Sequence, residues 1–97
     1  MKTIQTVKEI LRRRKDELKA EYGIGEIGIF GSFVRGEQST DSDLDILVSF
    51  DSSMGLLKFI RLEHHLSDIL GMKVDLVMKD ALKPKIGEHI LQELVQV

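Results

Sequence analysis

No cysteine occurs among the 97 residues, which excludes a disulfide framework and any thiolate zinc site. A metal in this chain must therefore be held by oxygen or imidazole. Asparagine is also absent, and with the high charge content this fits a heat-adapted source. No apolar stretch approaches the roughly 18 residues that a membrane span needs, and no basic start leads into an apolar run with a small-residue cleavage site. The expected setting is the cytoplasm, with no membrane partner. Charge of one sign is lacking too: 14 basic residues face 16 acidic ones, a net charge of -2. No global field draws nucleic acid to the chain, and direct nucleic-acid binding is not expected. What is present is the balance of an ordinary globular domain, 42% hydrophobic and 31% charged, far from the composition of disordered chains. At this length one domain over 1–97 is expected, with a small core.

Apolar spacing sets out the elements. Ile4, Val7, Leu11 and Leu18 recur at helical intervals between Thr3, a candidate N-cap, and Gly23, a candidate stop. The run from Arg12 to Lys15 lies within this helix, and because consecutive positions spread around a helix it reads as a solvated face. Glu26 to Phe30 is a short apolar strand that enters a glycine turn at Gly31 and Ser32. Phe33 to Gly36 has room for one helical turn, and Glu37 to Ser42 is a polar loop. From Asp43 to Phe50, Leu44, Ile46 and Val48 alternate with Asp43, Asp45 and Leu47, as in a strand with one packed face. A second long helix carries Leu56, Leu57, Ile60, Leu66, Ile69 and Leu70 after Ser52 and Ser53, and ends at Gly71. Lys73 to Met78 alternates again and places Asp75 mid-strand. Pro84 opens a last amphipathic segment with Ile86, Ile90, Leu91 and Leu94 as its stripe.

The chemistry lies in the carboxylates. Residues two apart on a strand are about 7 Å apart and point the same way, so Asp43 and Asp45 can converge on one ion. Without a cation the pair would repel, and one member would have its pKa raised; a divalent cation keeps both ionised. Magnesium suits such a site because it takes one or two carboxylates together with waters and substrate phosphates. Asp75, on another strand, is placed to complete a two-metal site or to take a proton from an attacking hydroxyl. A glycine turn between a strand and a short helix exposes amides that can cradle phosphate, so Gly31 and Ser32 are candidates for that role. Arg35, one helical turn on, could reach the same phosphates as a charged fork.

Three other motifs fail. Asp41, Asp43 and Asp45 imitate the start of a calcium-binding EF-hand loop, but Ile46 and Ser52 stand where glycine and glutamate are required. Gly31 to Gly36 has P-loop glycine spacing, yet Glu37 and Gln38 replace the lysine and hydroxyl residue. His64 and His65 are adjacent on a helix, point roughly a hundred degrees apart, and cannot form the i, i+4 zinc pair; they read as structural. His89 has no motif partner.

Together, Gly31-Ser32, Arg35-Gly36, Ser42-Asp43-Leu44-Asp45 and Val74-Asp75-Leu76 resemble the polymerase-beta-type nucleotidyltransferase superfamily. The short length and the helix-to-helix layout narrow this to the minimal nucleotidyltransferase (MNT) proteins, which pair with HEPN-domain proteins. The resemblance implies an α/β (α+β) nucleotidyltransferase fold: a small mixed sheet with helices packed mainly on one face and the metal cleft on the other. It implies that Asp43 and Asp45 bind metal, that Asp75 completes the site or acts as base, and that Gly31 and Ser32, with Arg35, hold the triphosphate of ATP or another nucleoside triphosphate. The cofactor would be Mg2+, as two ions, with Mn2+ as a substitute. The chemistry would move a nucleoside monophosphate to an acceptor hydroxyl and release pyrophosphate. With no residues left over for an acceptor domain, the acceptor is expected on a partner, a HEPN toxin neutralised by this chain as antitoxin. The alternatives are an antitoxin that neutralises by binding alone and a transferase acting on a small molecule such as an antibiotic. Self-association is compatible with either.

Overall fold

The computed structural model describes residues 3–39, 41–51 and 54–97. Helix α1 (Ile4–Tyr22) begins where the Oγ1 of Thr3 accepts the Thr6 amide at 3.3 Å, one of the donors that a helix start leaves without a backbone partner. It ends at Gly23, whose left-handed backbone (φ 69°) turns its amide back to the Lys19 carbonyl at 2.9 Å. Strand β1 (Ile24–Phe30), the short helix α2 (Ser32–Arg35) and strand β2 (Leu44–Phe50) follow. Asp43, expected inside this strand, lies one residue before it. The change is local, because the first rung to β3 is made by the Leu44 amide on the Lys73 carbonyl. Helix α3 (Leu56–Leu70) leads to β3 (Val74–Met78), a 3-10 turn over Lys79–Ala81, helix α4 (Pro84–Glu93) and a terminal strand β4 (Val95–Gln96). Ser52 and Ser53, expected before α3, lie outside the described residues, and Gly55 occupies the N-cap position.

The sheet runs β3-β2-β1-β4 and is mixed: β1 pairs antiparallel with β2 and β4, while β2 and β3 are parallel. A parallel pair requires a crossover, and α3 supplies it. Alternation then sorts the side chains. Ile27, Ile29, Leu44, Ile46, Val48, Val74 and Leu76 share one face and form the core with Val7, Leu11 and Leu18 of α1 and Leu62, Leu66 and Leu70 of α3. Each such burial is worth roughly 1.5–3 kcal/mol, so the helices are held to this face. The Tyr22 hydroxyl and His65 Nδ1, 3.0 Å apart, tie α1 to α3. His65 is therefore structural, while His64, His89 and Arg12, Arg13 and Arg14 are exposed.

The amphipathic segment expected from Pro84 is α4, and its surroundings and its end come from the structure. The stripe of α4 does not pack into the core: Ile86 is 57% and Leu91 45% exposed, and only Gly87 of this helix is buried. The segment after α4 is a strand edge, with Gln96 and Val95 paired to Gly28 and Ile29. The α1–α3 layer had already covered the packed face of the sheet, so α4 had no place left on it.

Candidate active site

The face of the sheet opposite the helices carries Phe30, Asp45 and Asp75 in one row, since Asp45 is in register with Phe30 on β1 and with Asp75 on β3. The parallel pairing thus brings a residue thirty positions downstream to the flank of Asp45. Asp75 is exposed and Asp45 partly buried. Asp43, of the same parity as Asp45, has its carboxylate 3.8 Å from Lys73 Nζ, an exposed pair of small energetic weight.

Beside this row the chain leaves β1 through Gly31. Its φ of 82° and ψ of -152° suit glycine, and a Cβ there would overlap the Asp45 carboxylate. Glycine is thus required twice, by backbone conformation and by the close approach of Asp45. The loop is closed by the Val34 amide on the Gly31 carbonyl at 3.0 Å and the Glu37 amide on the Ser32 carbonyl at 2.9 Å. Ser32 consequently stands at the head of α2, next to the carboxylate row.

Electrostatically the row is under stress. Burial, followed by repulsion from Asp75 and then Asp43, pushes the Asp45 carboxyl up from 3.8 to about 6, against the pull of Arg35. An unrelieved negative site of this kind calls for a cation. All the candidate donors are carboxylate oxygens, which fits a hard divalent ion. Among the described residues, however, no group of three acidic or imidazole side chains is gathered tightly enough to hold a metal by itself. The arrangement is an open site in which other oxygens would complete the coordination, not a closed cage.

Arg35 is engaged on two sides. Its Nε donates to Glu37 at 3.1 Å, and its Nη1 reaches both carboxylate oxygens of Glu93 at 3.0 and 3.1 Å. These bonds, to Glu37 first and Glu93 second, raise its pKa further. Glu93, at the end of α4, also accepts the Gly31 amide at 2.8 Å. Burial alone would raise its carboxyl, but the Gly31 amide and the Arg35 guanidinium outweigh that and hold it below the ordinary value. Sequence reasoning missed Glu93. It belongs to no motif, and only the return of the chain along β1 brings it to the glycine loop.

The sequence profile of the nucleotidyltransferase domain family matches residues 7–97. The chain belongs to this family. It is 50% identical to the protein adenylyltransferase MntA of Thermococcus cleftensis over 97 residues, covering all of this chain and 98% of that protein. A Methanocaldococcus jannaschii protein named for the same activity is 51% identical over the full length of both. Among solved structures, one described as a minimal nucleotidyltransferase superposes with a TM-score of 0.78 at 36% identity, covering 94% of this chain and 95% of that one. The fold is also that of a Shewanella oneidensis complex of a tri-AMPylated HEPN toxin with an MNT antitoxin, with a TM-score of 0.69 at 19% identity over 93% of this chain and 70% of that one. The mixed sheet with helices mainly on one face is therefore the nucleotidyltransferase fold, and the family generally works with divalent metal ions. Among the described residues no helix is long and apolar enough to cross a membrane.

Proposed function

We propose that this nucleotidyltransferase transfers AMP from ATP to a hydroxyl of a HEPN-domain toxin and so acts as its antitoxin. The observation that carries the reading is the row of Asp45 and Asp75, with Asp43 at its edge, beside the Gly31-Ser32 turn in a chain half identical to an adenylyltransferase. Asp43 and Asp45 would hold Mg2+, with Asp75 available to a second ion. Once bound, the metal supplies polarisation of the attacked α-phosphate and neutralises the charge on the departing pyrophosphate. Gly31 and Ser32 shape the turn that receives the triphosphate, the Gly31 amide itself being held by Glu93, and Arg35 contributes positive charge at its outer side. Asp75 is exposed on the edge strand, where an acceptor hydroxyl can approach and give up its proton to the carboxylate. The hydroxyl oxygen bonds to the α-phosphorus, the bond to the β-phosphate oxygen breaks, and pyrophosphate leaves.

A protein acceptor is favoured by the surface. Leu56 and Leu57 at the start of α3 are 72% and 79% exposed, and Ile86 and Leu91 project from α4, an amount of open apolar surface that suits a protein interface. The test is incubation with labelled ATP, magnesium and the HEPN partner, with Asp43→Asn and Asp45→Asn as controls. Label on the partner that disappears in both variants is the expected result. Neutralisation of the toxin without any label transfer would instead establish an antitoxin that works by binding alone.

A further inference from the structure

The motif residues do not account for Glu93, which touches the glycine turn and Arg35 at once. Its side chain is only 17% exposed, and it bonds with charge assistance to two partners that the fold brings together from separate elements. Its place is fixed from the C-terminal side. Leu94 fills the space above Gly28, where a Cβ would stand 2.7 Å from Leu94 Cδ1. Val95 and Gln96 are zipped to β1, the Val97 amide donates to the Ile27 carbonyl at 3.0 Å, and Lys15 Nζ donates to the Val97 carbonyl at 2.7 Å. These contacts hold the backbone next to Glu93 beside the turn.

The guanidinium it meets is correspondingly oriented. Glu37 takes Nε and Glu93 takes Nη1, while among the described residues Nη2 has no partner. An arginine free to rotate would lose rotamer entropy on binding phosphate; one already clamped loses less.

We propose that Glu93 is a positioning residue for nucleotide binding: at the end of α4 and held in place by the β4 pairing that follows, it fixes the Gly31 amide and clamps Arg35 so that Nη2 is left for the triphosphate. This rests on the reading of Gly31, Ser32 and Arg35 as the triphosphate site. It makes the last five residues, which carry no motif, part of the nucleotide site.

The test is the dissociation constant of AMP-PNP with magnesium for the full chain, by calorimetry, with thermal unfolding in the absence of nucleotide as a check on folding. Glu93→Ala is expected to weaken binding about tenfold, the effect of losing one charge-assisted hydrogen bond. Glu93→Gln, which keeps an oxygen for the Gly31 amide, should fall between the two. In an Arg35→Ala background, Glu93→Ala should cost clearly less than in the wild type, because the route through Arg35 has been removed and only that through the Gly31 amide remains. Binding by Glu93→Ala as tight as wild type, or tighter, overturns the proposal, since the carboxylate would then only occupy a place the phosphate wants. Full additivity with Arg35→Ala overturns it as well. Should the alanine variant not fold, the glutamine variant decides by the same criterion. A folded wild-type chain that binds no AMP-PNP would instead sink the underlying reading of the site.

Discussion

The two faces of the sheet are built from the same strands and obey opposite rules. On the helix face, Leu44, Ile46 and Val48 have no exposed surface and belong to the apolar core. One residue out of phase, Asp45 faces Asp75 and lies against Gly31, with a carboxyl pushed up to about 6. The first face contributes stability. The second gives some of it up to hold like charges together, as functional sites commonly do.

Substitutions on each face should separate these roles. The largest effect expected is on the open face: Asp45→Asn should lower adenylyl transfer by about a thousandfold or more while the chain stays folded, because charge stabilisation at the reacting phosphate is removed. Label-transfer rates with circular dichroism alongside would check it, and a variant retaining most of its activity would erase the distinction between the faces. On the packed face, Ile46→Ala should cost about 2–5 kcal/mol in urea unfolding, as expected for a fully buried side chain that leaves a cavity.

A smaller effect of opposite sign is expected when the same Asp45→Asn variant is tested for stability without metal. Because the folded-state pKa is raised, ionised Asp45 costs the folded state, and that cost grows as pH rises from about 4 to about 6. The asparagine variant should therefore be more stable than wild type at pH 7, by on the order of 1 kcal/mol after allowance for solvent screening, and equal to it below pH 4. A variant less stable at pH 7 would mean that Asp45 is held by contacts outweighing its repulsions. The smallest effect concerns the apportioning of the shift. Asp75→Asn should lower the Asp45 midpoint in an NMR titration yet leave it above 3.8, since burial is the first cause and Asp75 the second. A return to 3.8 would make repulsion the whole cause.

How much of this was legible beforehand follows from range. Thr3, Gly23 and Gly71 marked helix ends because capping is decided within four residues. The alternation in 44–48 and 74–78 located both strands and the side on which Asp45 and Asp75 would stand. The α4 stripe located the helix but not its surroundings, since Ile86 and Leu91 have the spacing of a packed helix yet stay exposed. The two-residue strand after it is too short to show a period.

By itself, then, the sequence determined the elements, the parity that separates Leu44 from Asp45, and the glycine turn after β1, because each depends on neighbours a few residues away; that Gly31 must also leave room for the Asp45 carboxylate was decided by the pairing of β1 with β2. Tertiary structure alone decided that Asp75 lies beside Asp45, that Arg35 is clamped, and that Glu93 reaches Gly31 across 62 positions of chain. Those contacts depend on strand order and on which face α1 and α3 had already filled, quantities that no local pattern encodes.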